Sequence, residues 1–142
     1  MGLDVGDRTI GVAISDALLI TAQGKETIFR QSLKQDIDRL VDLINEYEVT
    51  KIVAGMPYNM NGSIGPQGEK TKQFMDKLEK KLTYSDRIKG KIELFFWDER
   101  MTTLSATRLL IEADMRRDKR KEVVDKLAAT MILQGFLDRH GK

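Results

Sequence analysis

The chain opens with Met1-Gly-Leu-Asp-Val-Gly-Asp-Arg-Thr-Ile-Gly-Val-Ala-Ile-Ser-Asp16, and this stretch decides the fold because it holds two alternating apolar runs separated by a polar turn. Successive side chains of a strand point to opposite faces, so Leu3 and Val5 share one face and Asp4 lies on the other. The second run repeats the alternation from Ile10 onward. The two runs therefore predict strands over about 1–7 and 10–15 that form an antiparallel hairpin.

Asp4 lies near the middle of the first apolar run. A carboxylate that is partly withdrawn from water needs a cationic partner or a metal, or it becomes neutral. Gly2 and Gly6, on the same face of the strand, leave room for a ligand to approach. These features predict a functional site at Asp4. The alternative is a structural acid that caps the hairpin.

The remaining pattern predicts a single domain over 1–142 with a mixed sheet and helices on its faces, because the element order is β-β-β-α-β-α-β-α-α. Ser32 is the expected N-cap of the first helix. A turn-rich segment over Tyr58–Gln67 predicts a loop. Further strands are predicted over about 23–30, 51–56 and 91–97, and helices over about 33–47, 68–83, 102–113 and 122–139.

Composition excludes several classes of protein. A chain of 142 residues with 41% apolar and 32% charged residues is typical of a soluble globular domain. No apolar run approaches the roughly 20 residues of a membrane span, and the N-terminal pattern does not match a signal peptide. The absence of cysteine excludes disulfides and thiolate chemistry. We therefore expect a cytoplasmic protein that does not interact with membranes.

Two further acidic positions have a context like that of Asp4. Asp98-Glu99 follows a predicted strand, at the end where open α/β sheets form their binding crevices. Asp125 shares an apolar helical stripe with Ala128 and Ile132 and so faces the rest of the protein. Acids brought together repel one another unless a cation lies between them, and Mg²⁺ or Mn²⁺ suits oxygen ligands. The alternatives are a surface turn for Asp98-Glu99 and a salt bridge or helix-terminal charge for Asp125.

The basic residues are concentrated in one segment. Arg116-Arg117-Asp118-Lys119-Arg120-Lys121 carries five positive charges and one negative, a local +4 against a whole-chain net charge of +2. Such a cluster can pair with phosphates and supply salt-sensitive affinity for nucleic acid. The alternative is a solvated segment at the start of a helix.

Four blocks of sequence, in order and spanning nearly the whole chain, resemble the YqgF/RuvX family. That family is described as Holliday-junction-resolvase-like nucleases or as nucleases that process pre-16S ribosomal RNA. The blocks are the opening Gly2–Asp16, then Gly55–Ser63, then Asp98–Thr103, and then Lys119–Gln134 with its Asp125, Ala128-Ala129 and Ile132.

The resemblance implies an RNase H-like fold with a five-stranded mixed sheet, strands 1–3 antiparallel, and a hydrolase that cleaves phosphodiester esters with a divalent metal. Asp4, Glu99 and Asp125 would be the catalytic acids and the ligands of Mg²⁺ or Mn²⁺. Asp98 would assist, and Arg100 with Thr102 and Thr103 would stabilise the site or meet phosphate. The residues implied to contact nucleic acid are Arg8, Asn59, Asn61, Gly62, Arg116, Arg117, Lys119, Arg120 and Lys121.

The hairpin departs from the family pattern Gly-x-Lys-Arg-Ile-Gly. Thr9 stands in place of one of its two basic residues, and Asp7 adds a negative charge, so phosphate contact from this turn is expected only from Arg8. The three acids are unaffected.

The expected function is maturation of the 5′ end of pre-16S rRNA, with structured RNA as the substrate. Three alternatives stay open: resolution of branched DNA, a non-catalytic nucleic-acid-binding module, and half of an actin-like ATPase, whose hairpin is similar but whose fold needs two domains. Symmetric cleavage of a junction would require a two-fold dimer, whereas trimming of a ribosomal precursor would not. We therefore expect a monomer or a weak homodimer.

Overall fold

The computed structural model of the chain describes residues 1–102 and 117–140, and for residues 117–122 the backbone alone. A single turn of 3-10 helix occupies Glu99–Met101. The strands are β1 (Gly2–Val5), β2 (Thr9–Ser15), β3 (Ala22–Phe29), β4 (Lys51–Met56) and β5 (Glu93–Asp98), and the helices are α1 (Leu33–Glu46), α2 (Pro66–Tyr84) and α3 (Arg117–His140).

All five strands belong to one mixed sheet, in the order β3-β2-β1-β4-β5. Strands β1, β2 and β3 pair antiparallel, whereas β4 pairs parallel to both β1 and β5. This arrangement confirms the predicted α/β fold with its mixed five-stranded sheet. It also places the C-terminal ends of β1, β4 and β5 at the same edge, where a crevice can form.

The alternation of the first strands separates two apolar cores. Leu3 and Ile10 are fully buried on the face that α1 and α2 cover. The opposite face packs against α3, where Ala13 and Val53 meet Ala128 and Ile132 of the helix. Because Asp4 is adjacent to Leu3 in an extended strand, its side chain lies on the α3 side of the sheet.

Most predicted boundaries agree with the structure to within two residues. Ser32 caps α1 as predicted, its hydroxyl oxygen accepting the Gln35 N–H at 3.2 Å. Helix α2 begins at Pro66 rather than at residue 68, because proline is well suited to a first helical turn and needs no N–H partner there. The predicted loop is therefore shorter than Tyr58–Gln67.

The last helix begins at Arg117, five residues before the predicted start at 122. The basic segment was predicted to precede this helix, and that boundary was wrong: its arginines and lysines are good helix formers and continue the helical pattern of the residues that follow. The predicted helix over 102–113 falls, beyond its first residue, outside the described part of the chain. Within the described residues, no helix is both long and apolar enough to cross a bilayer.

Helix α3 approaches the sheet most closely at Gly11. A Cβ atom at this position would overlap the carbonyl oxygen of Asp125, so the backbone of the helix rests directly on the backbone of β2. Only glycine permits such an approach. The packing of α3 against the sheet thus depends in part on the absence of a side chain at Gly11.

Gly11→Ala is expected to displace α3 and to lower the free energy of unfolding by about 1–3 kcal/mol, the usual cost of overpacking. Urea unfolding measures this change. Gly24→Ala is the matched control, because its Cβ would contact the same helix at 3.1 Å or more and mainly through side-chain atoms. Equal losses of stability in the two variants would contradict the proposed importance of the contact between α3 and Gly11.

Candidate active site

The register of the first hairpin brings two of the predicted acids together. Asp4 on β1 is the cross-strand partner of Gly11 on β2. Because the backbone of Asp125 rests on Gly11, the first turns of α3 place this acid beside the strand that carries Asp4. The first strand and the last helix therefore meet at one point.

Glu99 reaches the same region from the other side of β1. It begins the 3-10 turn that follows β5. One of its carboxylate oxygens lies 2.7 Å from the position that a Cβ atom of Gly55 would occupy. Gly55 follows Ala54, the β4 residue that pairs with Leu3, so this oxygen lies over the strand next to Asp4.

The three acids line one cleft of about 450 Å³, which we call the acidic cleft. Three separate elements supply them, and they meet at the edge where the parallel strands end. The other residues that line the acidic cleft are Val5, Gly6, Asp7, Arg8, Gly55, Pro57, Gln67, Thr71 and Val124.

Thr9 fixes the carboxylate of Asp125. Its hydroxyl donates a short hydrogen bond to the carboxylate, and both side chains are buried, with 2% and 4% of their surface exposed. The sequence comparison counted Thr9 only as the loss of a basic residue. Its role as a hydrogen-bond donor was missed, although its place two positions before Gly11 on the same strand puts it on the face that α3 covers.

Helix α2 forms one wall of the acidic cleft. Sequence analysis did not predict this contribution. Gln67 donates through Nε2 to the Val5 carbonyl at 3.1 Å and ties the first turn of α2 to the end of β1. Thr71 is one turn further along and fully buried. Gln67 and Thr71 are four residues apart, a spacing that places both on one face of a helix. The signal was missed because Gln67 was assigned to the preceding loop.

Exposed charges lie at the mouth of the acidic cleft. Arg8 lines the cleft and is exposed to solvent. Asp7, its neighbour in the turn, forms an ion pair with Lys70 at 3.1 Å. The negative charge that Asp7 adds to the hairpin is thus compensated locally by α2.

The two sequence neighbours of Glu99 lie in an environment different from that of the three acids. Asp98 and Arg100 form an ion pair with a shortest distance of 2.7 Å and do not line the acidic cleft. Hydrogen bonds from Arg100 lower the pKa of Asp98, and the same bonds raise the pKa of Arg100. Thr102 donates to the Glu99 carbonyl at 3.0 Å and closes the 3-10 turn, while Thr103 lies outside the described residues.

Of the remaining predicted contacts with nucleic acid, Asn59, Asn61 and Gly62 do not line the acidic cleft. Asn59, Asn61 and Gly62 belong to an exposed turn that contacts Arg100. Arg116 lies outside the described residues. Of the other basic residues, Arg117, Lys119, Arg120 and Lys121, the structure describes only the helical backbone.

The donor set of the acidic cleft consists of carboxylate oxygens, the ligands preferred by hard divalent cations. Within the described residues, however, no three acidic, histidine or cysteine side chains are grouped closely enough to form a coordination shell as they stand. The chemistry of the residues therefore fits such a cation, but the described side chains do not form a ready-made metal site.

Comparison with solved structures supports the fold. RuvC of T. thermophilus, solved in complex with a Holliday junction substrate, superposes with a TM-score of 0.55 over 99% of this chain and 94% of its own, at 10% sequence identity. The chain thus belongs to the class of proteins with the RNase H-like fold, and in this chain three acidic side chains line one cleft at the edge of the sheet.

Within that class, the chain belongs to the RuvX family: the family model, described as Holliday junction resolvase, matches residues 1–139. A relative from Clostridium tetani is 56% identical over 97% of this chain and 94% of its own length. Relatives from Clostridium botulinum strain Hall and Desulforamulus reducens are 51% and 50% identical over the whole chain and 98% of their own lengths. All three carry the name "Putative pre-16S rRNA nuclease".

Thr9→Val is expected to lower the free energy of unfolding by about 1–3 kcal/mol, because it removes a hydrogen-bond donor from a buried carboxylate while keeping the shape of the side chain. Thr9→Ser, which keeps the hydroxyl, is the matched control and should retain more of the stability. Urea unfolding of both variants measures the difference. A valine variant as stable as the wild type would show that the Thr9 hydrogen bond does not hold Asp125.

Proposed function

We propose that the acidic cleft hydrolyses phosphodiester bonds in nucleic acid, and that its substrate is the 5′ end of pre-16S ribosomal RNA. The observation that carries this proposal is that Asp4, Glu99 and Asp125, from three different elements, line one open cleft. The substrate follows from the names of relatives that are 50–56% identical over nearly their whole length.

In this proposal Asp4, Glu99 and Asp125 would hold Mg²⁺ or Mn²⁺. A bound cation would supply positive charge near the reacting phosphate and would lower the pKa of a bound water. Its charge would also offset the repulsion that three carboxylates exert on one another in a partly buried site. No described imidazole lines the acidic cleft, so water would be activated through the cation and the carboxylates that hold it.

The other side chains of the cleft bind and orient. Thr9 keeps the Asp125 carboxylate in a fixed direction, which lowers the cost of ordering it when the substrate binds. Arg8 is exposed at the mouth and pairs with a phosphate of the nucleic acid backbone. The basic segment Arg116–Lys121 would supply further contacts to the phosphate backbone of the nucleic acid.

Branched DNA is the second candidate substrate, and the description of the matching family as a Holliday junction resolvase favours it. Contacts to phosphate position a nucleic acid without specifying its sequence or sugar. We expect the protein to act in the cytoplasm, as a monomer on RNA, whereas symmetric cleavage of a junction would require a two-fold dimer. Sizing the protein with each substrate distinguishes these states.

Asp4→Asn is expected to lower cleavage at least about 100-fold, because it removes a direct ligand, and even outer-shell losses at metal sites cost about 10- to 100-fold. The measurement compares a precursor 5′-end RNA with a four-way DNA junction, each with Mg²⁺, with Mn²⁺ and with chelator. Cleavage of the RNA alone supports maturation of rRNA, and cleavage of the junction alone supports resolution.

Asp7→Asn is the matched control for that experiment. Asp7 undergoes the same change of charge at the mouth of the same cleft, but it is exposed and paired with Lys70. It should keep most of the activity. Full metal-dependent activity in Asp4→Asn would overturn the catalytic assignment, and binding without cleavage by the wild type on both substrates would favour a non-catalytic module.

Neutralising the basic segment is expected to weaken binding and to flatten its salt dependence. Each lost phosphate contact should reduce the slope of log K against log salt by about 0.7 on single strands and 0.9 on duplex. Titrations at several salt concentrations, with glutamine at the five basic positions of Arg116–Lys121, measure the slope. An unchanged slope would assign this segment to the solvated surface of the helix.

A further inference from the structure

The guanidinium of Arg100 is engaged within the protein on all three nitrogens. Its Nε and Nη2 donate to both carboxylate oxygens of Asp98, at 2.7–3.1 Å. Its Nη1 donates to the carbonyl oxygens of Asn59 and Met60, each at 3.3 Å. The guanidinium carbon also lies 5.3 Å from the centre of the Tyr58 ring, within the range of a cation–π contact.

The segment that receives these contacts is a tight turn, residues 58–64, which we call the rim turn. Its backbone closes on itself, since Asn59 donates to the Ser63 carbonyl and Gly62 donates to the Asn59 carbonyl, both at 2.8 Å. The carboxamide oxygen of Asn61 accepts from the N–H of Ser63 at 3.0 Å and from its hydroxyl at 2.6 Å. The internal shape of the rim turn is therefore fixed by its own residues.

Arg100 fixes where the rim turn lies relative to the acidic cleft. Pro57 lines the cleft and leads directly into the turn, and Glu99 lines the cleft and directly precedes Arg100. The bonds from Arg100 to Asn59 and Met60 therefore join the ends of β4 and β5 across the cleft edge. Asp98 orients the guanidinium for this purpose, and as the residue before Glu99 it is held by the end of β5.

We propose that Arg100 is a positioning residue, which clamps the rim turn at the edge of the acidic cleft in the arrangement that binds nucleic acid, and that it does not itself contact phosphate. The proposal rests on the proposed function, because it assigns the rim turn to substrate binding. Arg100 and Asp98 together are electrically neutral, which makes the pair a poor attractor for phosphate and a good anchor for two backbone carbonyls.

Two variants separate the clamp from a phosphate contact. Arg100→Gln removes the guanidinium group and its charge. Asp98→Asn weakens the hydrogen bonds that orient Arg100 but leaves the charge of Arg100 in place. The clamp predicts that both variants weaken binding. A phosphate contact predicts opposite effects, because Asp98→Asn would release Arg100 to the substrate and remove a nearby negative charge.

The first measurement uses the protein without nucleic acid. Hydrogen exchange of the amides in the rim turn should accelerate in both variants, because the turn loses its attachment to β5. Arg100→Lys keeps the charge but cannot reproduce the hydrogen bonds that the guanidinium makes to Asp98 and to the rim turn, so it should behave like Arg100→Gln. Unchanged exchange in all three variants would overturn the clamp. Exchange in α1, remote from the turn, serves as the internal control for a general loss of stability.

The second measurement is binding and cleavage of the precursor 5′-end RNA at several salt concentrations. We expect Arg100→Gln and Asp98→Asn to raise Kd and KM by about tenfold, which corresponds to 1.4 kcal/mol, with the salt slope unaltered. A slope reduced by about 0.7–0.9 in Arg100→Gln, or tighter binding by Asp98→Asn, would show a phosphate contact and overturn the proposal.

The two measurements also separate this proposal from the function on which it rests. If the wild type neither binds nor cleaves RNA or junction DNA, the proposed function fails, and the role of the rim turn in binding fails with it. If the wild type binds and cleaves but the variants match it in Kd and exchange, the clamp alone is wrong.

Discussion

The contact between the backbone of α3 and Gly11 is the constraint on which the site depends. Because β2 carries no side chain at this position, the helix lies directly on the sheet and Asp125 is brought beside the register partner of Gly11, which is Asp4. A second close approach, at Gly55, leaves room for the carboxylate of Glu99 over β4. Two absent side chains thus create the space in which three acidic side chains can line one cleft.

Acids placed together in this way impose a requirement of their own. Carboxylates that are partly removed from water repel one another, and this repulsion costs stability unless a cation or hydrogen-bond donors offset it. The protein supplies one donor through the buried hydroxyl of Thr9 and balances Asp7 at the cleft mouth with Lys70.

The alternation around Asp4 was enough to predict the hairpin, and with the helical periods it predicted the sheet and the face on which Asp4 lies. The apolar stripe through Asp125 correctly indicated that this acid faces inward. Periodicity does not predict the distance between two elements. Neither the strand period of 2 nor the helical period of 3.6 indicates how closely α3 approaches β2 at Gly11. The hydrogen bonds of Thr9 to Asp125 and of Arg100 to the turn after β4 depend on tertiary contacts between elements, which residue type and periodicity do not predict.

The hydrogen bond from Thr9 to Asp125 joins residues 116 positions apart, near the two ends of the described chain. Contacts between such distant segments form only when the last helix packs against strands made at the beginning of synthesis. A ribosome-bound chain therefore carries Asp4 before Glu99 and Asp125 have been made. The order of synthesis keeps the acidic cleft incomplete until the last helix has packed against the first strands, so that the cleft exists only in the finished protein.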